Sequence, residues 1–169
     1  MSLTDWQPII LENLAHNIDI NELDSRTSRK ELDWADFISR PHKIEPADKF
    51  DIILGADLVY DLSHITLLHA TVAALLAFPT PTSRPRFHLV LPARSTHSQE
   101  LEVFDRAFPT PSSIAEGFVM RQDAEERACR LVSWKRREMV GADGFQNNAS
   151  RYIVYEIGWQ ALCGVEIEF

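Results

Sequence analysis

Apolar positions follow a strand rhythm in some stretches and a helical one in others, and the sharpest change between them falls at residues 50–61, Phe-Asp-Ile-Ile-Leu-Gly-Ala-Asp-Leu-Val-Tyr-Asp. Residues 50–55 predict one buried strand. Ile52, Ile53 and Leu54 are consecutive and apolar, as a parallel strand covered on both faces requires. Gly55 and Ala56 are small enough for the backbone to lie close to a ligand. Asp57, Tyr60 and Asp61 stand just past the strand's carboxyl end, the edge at which open α/β sheets bind ligands. A helical pattern follows at once over 64–78, with Leu67, Leu68, Val72, Leu75 and Leu76 on its apolar side, until Pro79, Pro81 and Pro85 end it. Two readings of the acids stay open: a ligand edge, or N-caps of that helix.

The same periodicities organise the rest of the chain. Residues 6–18 predict a helix, with Ile10, Leu14 and Ile18 at four-residue spacing and Asp5 as its N-cap. Residues 19–29 are polar and read as a loop, 30–34 as a short strand, and 37–49, with Pro41 and Pro46, as a surface connection. Residues 87–91 predict a second buried strand, 93–98 a loop containing Arg94, Ser95 and His97, and 99–108 a helix with Leu101, Phe104 and Phe108 on one side. Residues 109–117 form another loop, and 118–128 is ambiguous between helix and strand. Strands are expected over 130–138 and 152–159, with a turn region at 141–150 between them. Alternating strands and helices argue an α/β fold with a mostly parallel sheet, the last two strands pairing antiparallel.

Length and charge narrow the classes. A chain of 169 residues with 45% hydrophobic content predicts one globular domain. A net charge of −8 argues against a broad nucleic-acid footprint and is compatible with a basic protein partner. The two cysteines, Cys129 and Cys163, suggest neither a disulfide framework nor a metal site, so a reducing compartment, cytoplasm or nucleus, is expected. No apolar run spans a bilayer and the N-terminus lacks a signal-peptide pattern, which predicts a soluble protein without a membrane partner. The oligomeric state is not legible.

Other chemistry-bearing residues carry less. His64 and His69 are five apart and do not share a helix face, so a metal set of Asp57, Asp61 and His64 is the weaker reading. Ser95 and His97 lack a nucleophile-elbow pattern. Arg94 or His97 suits a substrate rim, although a solvated loop explains both. Lys135, Arg136 and Arg137 beside Trp134 read as an exposed strand edge.

Leu3-Thr4-Asp5 before a helix, Leu32-Asp33-Trp34 after a strand, and Gly55 to Tyr60 after another together resemble the S-adenosylmethionine-dependent methyltransferases of the seven-β-strand, Rossmann-like class. Within that class the resemblance is to methyltransferase family 16, which holds many protein-lysine methyltransferases. The segment at 50–61 is its most specific part, and the final strand, Tyr-Ile-Val-Tyr-Glu-Ile-Gly-Trp, fits the family's end. The resemblance implies that Asp5 accepts hydrogen bonds from the cofactor ribose hydroxyls. It implies that Trp34 lies flat against the adenine and that Ala56 lets the strand end approach the cofactor. Asp57 and Tyr60, the family's Asp-x-x-Tyr pair, would be the catalytic residues beside the methyl group and the lysine channel, orienting the amine and helping remove its proton.

The family also places a first strand and a glycine-rich loop before the position of Asp5, whereas the first glycine of this chain is Gly55. The expectation is therefore the C-terminal portion of a methyltransferase domain, with weak cofactor binding and a gap beside the strand at 50–55. The functional expectation is a protein-lysine N-methyltransferase-like protein acting on a lysine side chain of a protein substrate. Its alternatives are a non-catalytic relative acting as a protein-binding module, and another Rossmann-like nucleotide-binding protein.

Overall fold

A parallel crossover opens the chain. Strand β1 (Ser2–Asp5), helix α1 (Pro8–Ile20) and strand β2 (Ser28–Glu31) follow in order, and β2 returns alongside β1 with Ser2 opposite Ser28 and Asp5 opposite Glu31. The computed structural model describes residues 1–39, 48–111, 121–122, 128–141 and 151–161. They make a mixed α/β protein in two compact units, Met1–Pro41 and His42–Phe169. The connection expected at 37–49 and the loop, ambiguous and turn segments expected at 109–117, 118–128 and 141–150 lie partly outside the described residues, as does Cys163.

In the first unit, Pro8 presets the helical φ at the first turn of α1. Gln7 is therefore the N-cap, and its carbonyl accepts the Ile10 and Leu11 N–H groups at 3.1 Å each. This corrects the expectation for Asp5. Its Oδ1 accepts the Gln7 N–H at 2.8 Å, closing the turn from strand to helix without capping it. The apolar stripe also moves: Leu11, Leu14 and Ala15 are half-buried and Ile18 is buried, while Ile10 is exposed. After β2 the ladder continues through the Leu32 N–H to the Asp5 carbonyl at 3.0 Å. Asp33 Oδ1 then accepts the Ala35 N–H at 2.9 Å and turns the chain at Trp34 into the short helix α2 (Asp36–Ser39).

The second unit contains β3 (Ile52–Ala56), α3 (Leu62–Leu75), β4 (Arg86–Pro92), α4 (Ser98–Ala107), β5 (Arg121–Gln122), β6 (Ala128–Val140) and β7 (Arg151–Ala161). The sheet order is β3-β4-β7-β6-β5. Only β3 and β4 pair in parallel; β4–β7, β7–β6 and β6–β5 are antiparallel. The sheet is mixed, which corrects the mostly parallel expectation. The antiparallel pairing of the last two strands holds. Among the described residues no helix is long and apolar enough to cross a membrane.

Most of the core lies on one face of this sheet. Phe87, Leu89 and Leu91 of β4 and Ile153, Tyr155, Ile157 and Trp159 of β7 are buried there, with Ile65, Leu68 and Val72 of α3 and Phe104 of α4. The Phe104 ring centre stands 4.8 Å from that of Tyr155, and the His69 ring 5.0 Å from Phe108. These ring contacts bind α4 to β7 and α3 to the end of α4.

The register explains why β3 is not buried on both faces, as its sequence suggested. Ile53 lies opposite Phe87 and Gly55 opposite Leu89, so these residues share the packed face. Ile52 and Leu54 accompany Arg86 and His88 on the other face, where they are 65% and 72% exposed. Among the described strands only β4 pairs with β3, which makes β3 an edge. At the far side, a register shift between Ser133 and Lys135 ends the burial of β6. The basic cluster Lys135, Arg136 and Arg137 is exposed.

Candidate functional site

The turn leaving β3 is built on two small residues and one strained one. A Cβ at Gly55 would stand 2.6 Å from Leu58 Cδ1, 3.1 Å from Phe87 Cε2 and 3.2 Å from Leu89 Cδ1. Glycine suits this position because Leu58 folds back over the strand end and leaves little room for a side chain. Ala56 ends β3 on the exposed face. Asp57 then adopts φ 51°, a left-handed conformation that aspartate tolerates better than most residues. Its N–H donates to the Val90 carbonyl at 2.8 Å, so the backbone of the turn is fixed to β4.

That geometry aims the Asp57 side chain at the segment after β4. Arg94 Nη2 donates to Asp57 Oδ2 at 2.8 Å, with both side chains 38% exposed. Arg94 is the site residue that sequence reasoning underweighted. The available signal was that residues following the carboxyl ends of two adjacent parallel strands lie side by side, and Ala56 is opposite Val90. A shallow depression beside the pair is lined by Asp57, Val59, Leu91, Pro92, Arg94 and His97.

Buried Val59 anchors the loop, and Tyr60 emerges from it 53% exposed. The Tyr60 N–H points to His64 Nδ1 at 3.4 Å, and the His64 ring meets the Tyr60 ring edge-on at 6.3 Å. The Arg94 guanidinium stands over the Tyr60 ring, 6.0 Å from its centre. Partial loss of hydration pushes the Tyr60 phenol above its ordinary pKa, the Asp57 charge adds to the rise, and Arg94 opposes it. At neutral pH this phenol is protonated and can donate.

Asp61 has a separate duty. Its Oδ1 accepts the Ser63 N–H at 2.8 Å and the Ser63 hydroxyl at 2.6 Å as the N-cap of α3. These bonds hold its carboxyl below the ordinary aspartate range. The two open readings of the acids thus divide: Asp61 caps, and Asp57 faces the depression. Among the described residues no group of three or more His, Cys, Asp or Glu side chains is arranged to hold a metal ion.

Of the residues singled out from sequence, Ala56, Asp57 and Tyr60 come together at this turn. Asp5 and Trp34 belong to the first unit, where Asp5 is the last residue of β1 and Trp34 lies three residues past the end of β2. Asp5 Oδ1 accepts one backbone bond, and a carboxylate has room for more. Trp34 is half-buried, and its carbonyl accepts the Phe37 N–H at 3.2 Å.

The chain is similar to known proteins in sequence and in fold. The profile of methyltransferase family 16, described as lysine methyltransferase, matches residues 1–106. The protein-lysine N-methyltransferase EFM2 of Saccharomyces cerevisiae is 31% identical over 99 residues, covering 57% of this chain and 22% of the yeast protein. The chain thus spans about a fifth of the length of that relative. The crystal structure of P. horikoshii TYW2 in complex with MeSAdo is similar at a TM-score of 0.46 and 13% identity, over 94% of this chain and 47% of that one. With a family profile that spans more than half of its residues, the chain belongs to the lysine methyltransferase family 16.

Proposed function

We propose that this chain carries S-adenosylmethionine-dependent protein-lysine N-methyltransferase chemistry, with Asp57 and Tyr60 on the acceptor side. The observation that carries the reading is the turn after β3. There a carboxylate lines a depression at the carboxyl end of a parallel strand pair, and a protonated phenol stands three residues beyond it. The parallel crossovers β1–α1–β2 and β3–α3–β4 support a Rossmann-like architecture of the seven-strand class.

In the first unit, Asp5 and Trp34 suit the adenosine part of the cofactor: Asp5 retains acceptor capacity for ribose hydroxyls and Trp34 offers a flat apolar wall. In the second unit, Ala56 carries only a methyl group at an exposed strand end, which suits close approach of the cofactor. Bound S-adenosylmethionine supplies an electrophilic methyl group on its sulfonium. The chain's own residues then act on the acceptor. The Asp57 carboxylate attracts and orients the lysine ammonium and assists passage of its proton to water, since only the neutral amine is nucleophilic, while the phenol oxygen of Tyr60 accepts a hydrogen bond from the same nitrogen. What remains is alignment of the amine with the methyl group.

The test measures cofactor binding by calorimetry and methyl transfer to lysine-containing protein substrates by mass spectrometry. Asp57→Ala and Tyr60→Ala should lower transfer far more than cofactor binding, while Asp5→Ala should raise the cofactor Kd. Equal binding losses for all three changes would overturn these roles. Cofactor binding by the wild type with no transfer to any protein lysine would overturn the catalytic reading and favour a protein-binding module.

A further inference from the structure

We infer that Arg94 is an internal stand-in for the substrate's cation, and that an incoming lysine side chain displaces it from Asp57. The inference rests on the acceptor-side reading of Asp57 and Tyr60 and adds a residue that sets the affinity of that site. A carboxylate beside an aromatic face is the chemistry that binds an ammonium group. Arg94 makes both contacts itself, to Asp57 Oδ2 at 2.8 Å and over the Tyr60 ring at 6.0 Å.

The pair is built to exchange. Both side chains are more than a third exposed, so solvent screens the ion pair and an external cation can compete for it. Arg94 approaches from the extended residue that precedes the 3-10 turn Ser95–His97, not from the interior of a strand or helix. Moving its side chain away need not disturb the turn, because the left-handed backbone of Asp57 is tied to Val90 through its own N–H. The Arg94 guanidinium occupies both contacts that the substrate's cation would make. It therefore lowers affinity for a lone lysine side chain and favours substrates whose flanking residues contribute additional binding.

The test uses the full chain and the probe Nα-acetyl-lysine methylamide, followed by NMR at the Tyr60 ring and at Arg94 Nε. In wild type, the Arg94 Nε resonance should move in step with Tyr60 as the probe saturates. Arg94→Met, which keeps the stem and removes the charge, should bind the probe about two- to fivefold tighter, the factor expected for removing a screened ion pair. Asp57→Asn should abolish binding in either background. Tyr60 shifts with a still Arg94, or weaker binding by Arg94→Met while Asp57→Asn still matters, would overturn the stand-in role and leave the acceptor reading standing. Binding indifferent to Asp57→Asn, or no binding by any variant, would overturn both. The wild-type Arg94 signal decides the question even if Arg94→Met fails to fold.

Discussion

Gly55→Ala isolates what the turn after β3 demands of its sequence. Adding one methyl group to a strand glycine ordinarily stabilises a protein by about 0.4–1 kcal/mol, because the unfolded chain loses freedom. Here the new Cβ would meet Leu58 Cδ1 at 2.6 Å, with Phe87 Cε2 at 3.1 Å and Leu89 Cδ1 at 3.2 Å behind it. Phe87 and Leu89 are fully buried, so the half-buried Leu58 side chain is the one that moves. Overpacking of this kind costs about 1–3 kcal/mol, leaving a net destabilisation of about 1 kcal/mol. The reasoning makes a sharper claim about coupling. Leu58→Ala removes the 2.6 Å contact, so Gly55→Ala in that background should cost about 1 kcal/mol less than it does alone. Urea denaturation of the four proteins of the cycle measures this through the buried Trp159, whose Nε1 donates to the Leu76 carbonyl at 3.4 Å. A Gly55→Ala protein more stable than wild type, or two changes that simply add, would show that Leu58 is not what keeps residue 55 a glycine.

Two further outcomes concern titrating groups. Tyr155 donates to Asp105 Oδ1 at 2.9 Å, and burial followed by the Asp105 charge pushes its phenol above the ordinary range. Tyr155→Phe should cost about 1–2 kcal/mol at pH 7. Because the raised pKa stabilises the folded state fully only below the unfolded value near ~10, the gap from wild type should narrow as urea melts are taken above that pH. A gap that widens there would contradict the assigned cause. Asp61 has a depressed pKa, so its stabilisation is present above the unfolded value near ~3.9 and is lost as pH falls through the folded one. Asp61→Ala should lower the thermal midpoint at pH 7 and Asp61→Asn much less. The Asp61→Ala deficit should shrink in acid, which a scan of Tm against pH reads directly.

The positions of most elements were legible because their periodicity was strong. Phe87, Leu89 and Leu91 alternate with half-buried residues as a strand should, and the strand expected at 87–91 is β4, one residue longer at each end. Ile52-Ile53-Leu54 misled because an apolar run cannot say how many faces are covered; the register with β4 decides that. The mixed sheet was hidden because pairing direction is set by β7 entering beside β4, a contact between Phe87 and Ile157 that no local pattern encodes. At the site, the Asp57–Tyr60 segment stood out from sequence. The partnership of Asp57 with Arg94 did not, because it joins residues 37 positions apart across a strand pair. The separate duty of Asp61 was open to sequence as an N-cap pattern, with Ser63 just beyond it.

The position of β7 bears on how the chain is made. In the sheet it is the middle strand, yet in sequence it is the last of the five. A ribosome releases residues 52–92 early, and β3, α3 and β4 are close enough in sequence to associate while synthesis continues. Until residue 161 has emerged, however, β4 presents an open edge on one side and β6 on another, with nothing to join them. A nascent chain stalled between residues 140 and 151 therefore holds two unclosed pieces of sheet with their apolar faces in water. The core becomes cooperative only when β7 slides between them, so the arrival of its final turns of sequence, not of its first, sets the period during which a chaperone would be needed.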